Sequence, residues 1–151
     1  MIALETIREK LGTVENWVEG RGALWLNPVG LSVREVAGAM NAVGARFVTI
    51  TAYQLAGNEG FRLEYHWDLD GQLLGVPYVI TGSCIESIFD LCEAADWIER
   101  EVHEGFAVDF TGRNYEPLLL RQGDKLGVNL RETGAADKPA SDVQGPKEVT
   151  K

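Results

Sequence analysis

The chain has 151 residues, and its hydrophobic content of 45% suffices for one domain with a real core. Its formal net charge of -9 makes nucleic acids and anionic membrane surfaces unfavourable partners, because both carry negative charge themselves. No apolar run approaches the roughly 20 residues of a membrane helix, and the first residues lack a signal-peptide pattern, so we expect a cytosolic protein.

Two helices and a short strand are predicted in the first third of the chain. Residues 3–12 carry apolar side chains at helical spacing and predict a short amphipathic helix. Residues 22–26 predict a strand that ends at an Asn-Pro pair. Ser32 and Glu35 form the pattern of a capping box, and Gly44 ends the helix that follows.

Three strands are predicted next, at residues 46–55, 60–69 and 73–81. The middle strand alternates strictly, with large apolar side chains on one face and polar side chains on the other. Because the two links are short and rich in Gly, Asn and Asp, both joins predict antiparallel hairpins. Pro77 predicts an edge position or a bulge in the third strand.

A second capping box, Ser83 with Glu86, predicts that another helix begins at Ser83. Asp96 and Glu99 repeat that pattern and predict a further helix start or a bend, and Gly105 ends the segment. The fold class is therefore α+β, a two-layer sandwich in which helices cover a mainly antiparallel sheet.

The composition changes near residue 132. Residues 132–151 are rich in Pro, Gly, Ser and charged residues, and they predict a disordered tail behind a domain of residues 1–131.

The residue types required by a metal or nucleotide site do not occur at the required spacing. His66 and His103 have no second His or Cys at metal-binding distance along the chain. Residues 68–71 resemble the start of a calcium loop, but the twelfth position is Val79 instead of Glu, so we interpret them as a turn. No glycine pattern matches a phosphate-binding loop.

The two cysteines, Cys84 and Cys92, are eight residues apart. On a helix that spacing is too long for a disulfide, and we interpret both as small buried residues.

The segment ADWIEREVHEGFAVDFTGR, residues 95–113, concentrates the charge. Adjacent helical residues point about 100° apart, so Glu99, Arg100 and Glu101 cannot share one solvated face. Apolar neighbours such as Trp97 and Phe106 require burial, so some of these charges lie near apolar surface and must be paired. The segment is therefore an internal brace or part of an interface.

The same segment resembles the signature of the 30 kDa subunit family of respiratory complex I, the NADH-quinone oxidoreductase. The resemblance extends over roughly residues 20–122, but only its last third is specific. Eight residues stand where that signature expects them: Ala95, Trp97, Glu99, Arg100, Glu101, Phe106, Phe110 and Gly112.

The departures favour a short form of this subunit. The His-Pro pair of the family is Arg113-Asn114 here, and its arginine-rich continuation is replaced by YEPLLLRQG. Compact, divergent versions of the subunit occur in membrane-bound [NiFe] hydrogenases related to complex I. The resemblance therefore implies a structural subunit of such a hydrogenase, with the 30 kDa subunit of NADH-quinone oxidoreductase itself as the alternative.

The resemblance also implies what this subunit binds and where it is found. It binds no cofactor and no metal itself, and the [NiFe] centre and iron–sulfur clusters belong to its partners. Those partners are the large subunit, of the hydrogenase or 49 kDa type, and the small iron–sulfur subunit. The complex holds it on the cytoplasmic face of the membrane.

The resemblance makes the segment a docking and bracing element without catalytic residues. Its expected apolar anchors are Trp97, Phe106 and Phe110, and Arg100 is expected to form a buried ionic network with its two glutamate neighbours. Two other hypotheses stay open. One is a small independent enzyme that uses His103 and Glu104 as acid and base, and the other is a free-standing adaptor that binds a regulatory partner.

Overall fold

The computed structural model describes residues 2–11 and 16–131. The described α-helices are α1 (Ile2–Lys10), α2 (Val33–Ala42) and α3 (Ala95–Phe106), and a short 3-10 helix spans Ala56–Asn58. The strands are β1 (Trp17–Gly20), β2 (Ala23–Leu26), β3 (Arg46–Gln54), β4 (Phe61–Leu69), β5 (Gln72–Ile80), β6 (Cys84–Glu86) and β7 (Asp109–Thr111).

Five of these strands form one sheet in the order β1-β2-β5-β4-β3. Both predicted hairpins are present, because β3 pairs with β4 and β4 with β5 in antiparallel fashion. The pair β2–β5 is parallel, and β6 and β7 form a separate parallel pair. The predicted α+β class with a mainly antiparallel sheet is confirmed.

The core lies between the sheet and the helices. The apolar side chains of β4 are buried on this side, among them Leu63, Tyr65 and Trp67, and they share one buried cluster with Ile7 of α1 and Met40 of α2. The strict alternation of β4 thus results from burying one face of the strand.

The capping box at the start of α2 is present as predicted. The Ser32 hydroxyl accepts a hydrogen bond from the amide of Glu35 at 3.1 Å, and the Glu35 carboxylate accepts one from the amide of Ser32 at 2.7 Å.

The edge position predicted from Pro77 is wrong for the strand as a whole, since β5 lies inside the sheet, between β2 and β4. The neighbouring strand β2 pairs only with Leu74 and Gly75, so the flank of β5 is open at Pro77.

The predicted helix start at Ser83 is wrong. Residues 84–86 form β6 instead, because Cys84 and Ile85 pair with residues of β7, and the amide of Ser87 bonds the Thr111 carbonyl at 3.0 Å. Turns follow, and the helix begins only at Ala95. Cys92 is buried as predicted, but Cys84 is exposed on β6.

The further helix predicted near Asp96 and ending at Gly105 is present as α3, but neither residue has its predicted role. Asp96 caps nothing, since it lies inside α3 after an N-cap, Ala94, that makes no side-chain bond. The helix ends at Phe106, and Ala107 takes the left-handed conformation at φ 55°. Gly105 instead allows Asn129 to pack closely, because a Cβ at position 105 would lie 2.7 Å from the side-chain Nδ2 of Asn129.

The predicted disordered tail, residues 132–151, lies outside the described residues.

Candidate functional site

The residues predicted from the sequence lie on α3, in β7 and directly after it. They differ in how far their side chains are exposed to solvent. Trp97, Glu101 and Gly112 are exposed, Arg100 and Phe106 are partly buried, and Glu99 and Phe110 are buried.

Glu99 is the centre of this region. Its side chain is fully buried, and its carboxylate accepts three hydrogen bonds. The donors are the Ile88 amide at 2.8 Å, the Ser87 hydroxyl at 2.6 Å and the Arg113 guanidinium at 2.9 Å. The buried charge is thus paired and hydrogen-bonded, as a buried carboxylate requires.

Arg113 is the cation that pairs with this carboxylate, and its side chain is only 5% exposed. It also bonds the carboxylate of Asp96 and lies over the rings of Phe89 and Tyr115, at 4.9 and 5.2 Å from the ring centres. Burial lowers the pKa of Arg113, but its bonds to Glu99 and Asp96 raise it by more, so the guanidinium stays charged.

The predicted ionic network of Arg100 with Glu99 and Glu101 is therefore wrong in its partners. Arg100 pairs with Asp96 at 3.1 Å, one helical turn earlier, and its guanidinium donates to the Glu116 carbonyl at 3.4 Å. Glu101 is exposed and has no side-chain partner among the described residues. The network runs Arg100–Asp96–Arg113–Glu99, and we call it the α3 brace.

Trp97 lies next to the brace and is 70% exposed, so this chain alone does not supply the burial expected of it. Its neighbours Asp96 and Arg100 are both held in the brace. A large aromatic side chain thus projects from a rigid helix into solvent. As an anchor for a partner, Trp97 remains a prediction.

A second carboxylate on α3, Glu104, holds the chain that follows β7. We call residues 117–131 the strap. Glu104 is buried, and its oxygens accept the amides of Leu118, Leu119 and Leu120 at 2.7, 2.8 and 3.1 Å. Further along the strap, the amide of Gly127 bonds the Glu104 carbonyl at 2.8 Å. The end of α3 is thereby fixed to the strap.

The predicted acid–base pair does not have the geometry of one. The Nδ1 of His103 donates to the Val108 carbonyl at 2.7 Å, and the ring stacks on Tyr115 at 3.7 Å. Burial raises the pKa of Glu104, but the three strap amides lower it by more, so the net pKa is below the ordinary value. A carboxylate that is ionised and saturated with donors is a poor general base at neutral pH.

A cavity of about 210 Å³ lies between α3 and the strap, lined in part by Arg100, His103 and Tyr115.

Within residues 2–11 and 16–131, no group of three His, Cys, Asp or Glu side chains could hold a metal ion. Asp68 forms a turn as interpreted, since it accepts the Gly71 amide at 2.9 Å. Cofactor binding by the partners stays a prediction.

Sequence reasoning missed the roles of Arg113, Ser87 and the strap. Arg113 was visible only as a departure from the family pattern. The signal that could have identified it is charge balance, because a buried Glu99 requires a cation that its neighbours along the helix do not supply.

In the part of the chain that the structure describes, no helix is long and apolar enough to cross a membrane.

Two solved structures have a similar fold. A trypsin-resistant fragment of Nqo5 has a TM-score of 0.58 and 22% identity, over 76% of this chain and 99% of the fragment. A chain of the membrane-bound sulfane sulfur reductase, an archaeal respiratory membrane complex, has a TM-score of 0.58 and 21% identity, over 74% of this chain and 69% of its own length. No match is found among curated proteins.

Residues 32–138 match the family model described as the 30 kDa subunit of respiratory-chain NADH dehydrogenase. The match includes α2, the hairpins β3–β4–β5, the α3 brace and the strap. It extends over well more than half of the sequence, and the chain therefore belongs to the 30 kDa subunit family of respiratory-chain NADH dehydrogenase.

Proposed function

We propose that this chain is a non-catalytic structural subunit of a membrane-associated oxidoreductase complex related to respiratory complex I. The family match over residues 32–138 carries the proposal. The likeness to a chain of an archaeal respiratory membrane complex agrees with it at the level of fold. In this role the chain joins cofactor-bearing subunits and carries no redox group of its own.

The helix α3 supplies the docking element. Trp97 is exposed on a helix whose first two turns are held by the α3 brace, so a partner would meet it on a preorganised helix. Tryptophan and arginine are among the residue types most enriched in energetically dominant interface positions. We place the large subunit on this surface, with the small iron–sulfur subunit as the second partner.

The specific complex we propose is an [NiFe] hydrogenase of the complex I-related type, held on the cytoplasmic face of the membrane. The support is the departure from the NADH dehydrogenase signature at Arg113-Asn114 and in the strap sequence. Arg113 is central to the α3 brace, so the departure has a structural role and is not a neutral surface change. The 30 kDa subunit of NADH-quinone oxidoreductase is the alternative, and the description of the family model favours it.

A small enzyme based on His103 and Glu104 is a poorer explanation. Both groups are committed to fixing the end of α3, one to the Val108 carbonyl and one to the strap amides. Their side chains are therefore explained by structure alone.

The docking role is tested by Trp97→Ala in the native complex, with Val29→Ala as the control. Both side chains are about 70% exposed, at 70% and 69%, so neither change should alter the stability of the free chain by more than about 0.5 kcal/mol. We expect Trp97→Ala to weaken incorporation by about 5-fold to 30-fold, as a dominant interface residue does. Incorporation of Trp97→Ala at the level of Val29→Ala would contradict the proposal.

A further inference from the structure

The face of the five-stranded sheet opposite the helices carries a second set of fixed side chains. The core helices pack on the side of Leu63 and Tyr65, and no described helix packs on the opposite side. We call that side the outer face. The register places Val18, Trp25, Tyr53, Arg62, Glu64 and Val79 on it, among other residues.

Three apolar or aromatic side chains on this face are exposed. Val18 is 64% exposed, Val79 59% and Tyr53 43%. They lie on β1, β5 and β3, so they are distributed across the whole sheet. Polar residues such as Thr51 and Asp68 also lie on this face, as on any solvated sheet. The exposed valine and tyrosine side chains, together with Trp25 and Arg62, form a residue set that is typical of protein interfaces.

Trp25 is held flat against the sheet between these residues. It lies over Gly75, where a Cβ would come within 2.6 Å of the indole ring, so only glycine leaves room for it. The Arg21 guanidinium lies 4.2 Å above the same ring, and the indole nitrogen donates to the Gly20 carbonyl at 2.7 Å. The indole ring is nearly perpendicular to the ring of His66, with 5.6 Å between the two ring centroids.

The centre of the outer face is positively charged. Glu64 is almost fully buried there and accepts Arg21 at 3.2 Å, Arg62 at 2.8 Å and the Tyr53 hydroxyl at 3.4 Å. One carboxylate thus orients two guanidinium groups and neutralises only one of them. The remaining N–H donors of both arginines have no partner among the described residues, and both side chains reach solvent.

We infer that the outer face is a second docking surface, and that its partner is an acidic segment of another subunit. A carboxylate of that segment would bind between Arg21 and Arg62, and an adjacent apolar side chain would lie on Val79, which is opposite Arg62 in the register. The charge argument selects the partner, because this positive centre lies on a chain of net charge -9. The inference rests on the proposed function, and since α3 lies on the other side of the sheet, the chain would join two partners.

The test places a photo-crosslinking amino acid at Val79 in the full chain, purifies the complex and maps the cross-linked peptide by mass spectrometry. The control is the same amino acid at Val29, which is also exposed but lies in the turn before α2. We expect cross-links from Val79 to a peptide of a different subunit that contains Asp or Glu beside an apolar residue.

A second arm tests the charge. The variant Arg21→Gln/Arg62→Gln/Glu64→Gln removes the cluster without leaving a buried charge unpaired, and Arg121→Gln is a control that changes net charge equally. We expect the triple variant to lower the cross-link yield from Val79 at least about tenfold, and Arg121→Gln to leave it unchanged. Should the triple variant fail to fold, the yield of the native sequence must fall as salt rises.

Several results would overturn the inference. They are a yield no higher than at Val29, cross-links to lipid or to a second copy of this chain, and cross-links to a peptide without carboxylates. A chain that is recovered in a complex but gives such a result refutes the second surface alone. A chain recovered without partners refutes the proposed function as well.

Discussion

Replacing Glu104 by glutamine should loosen the first part of the strap without unfolding the sheet. The carboxylate accepts three backbone amides, one on the oxygen nearest Leu118 and two on the other, from Leu119 and Leu120. An amide side chain has a single acceptor oxygen, and its NH₂ group would face a donor. At least one strap amide then stays unpaired, at a cost of about 1–3 kcal/mol.

Hydrogen exchange with residue resolution measures this cost. A local loss of about 1–3 kcal/mol corresponds to exchange about 5 to 150 times faster at residues 118–120. The amides of Gly127 and Asn129 bond carbonyls of α3 at 2.8 Å and should keep their protection. Glu101→Gln, on the exposed face of the same helix, is the matched control. Unchanged exchange at residues 118–120 in Glu104→Gln would refute the reasoning.

The pH dependence follows from the same contacts. Burial raises the pKa of Glu104 and the three amides lower it by more, so its folded pKa lies below the unfolded value of about 4.3. The ionised carboxylate therefore stabilises the strap above that pH, and the stabilisation is lost as pH falls through the folded pKa. Arg100, His103, Glu116 and other charged residues that line the adjacent cavity are the same in both proteins, so the difference between native chain and Glu104→Gln isolates the effect.

The other predictions concern stability. Arg113→Ala should lower the free energy of unfolding by about 3–5 kcal/mol in urea titration, because it leaves Glu99 buried without a cation. Arg100→Ala should cost only about 1 kcal/mol or less, since Asp96 keeps its second partner, and equal losses would contradict the assignment of Arg113. Gly75→Ala should cost about 1–3 kcal/mol through its clash with Trp25, and less in a Trp25→Ala background; an equal cost in both backgrounds would refute the clash.

The parts of the fold that depend on local patterns were predictable from the sequence. The alternation in β4, the short polar links of the hairpins and the capping box of Ser32 with Glu35 each involve neighbours along the chain. Their physical causes are the two-residue period of a half-buried strand and the unpaired amides at a helix start. Such signals are complete within a window of a few residues.

The errors come from pairings between distant residues. The pattern of Ser83 with Glu86 resembles a capping box, but Cys84 pairs with Asp109, 25 positions later, and the strand pairing prevails over the local signal. Distance along the chain also separated Glu99 from its cation, since Arg113 lies beyond the end of the helix. An exposed Trp97 violates the expectation that aromatic residues are buried, and a binding role gives a physical reason for that violation.

The central claim is that this chain is a docking subunit of a redox complex. The most direct measurement is to purify the native chain with a tag after residue 151, in mild detergent, and to identify its partners by mass spectrometry with elemental analysis. The account predicts a stoichiometric large subunit and an iron–sulfur subunit, with nickel and iron. Iron and flavin without nickel would replace the hydrogenase by NADH-quinone oxidoreductase, and a lone, metal-free chain would contradict the claim.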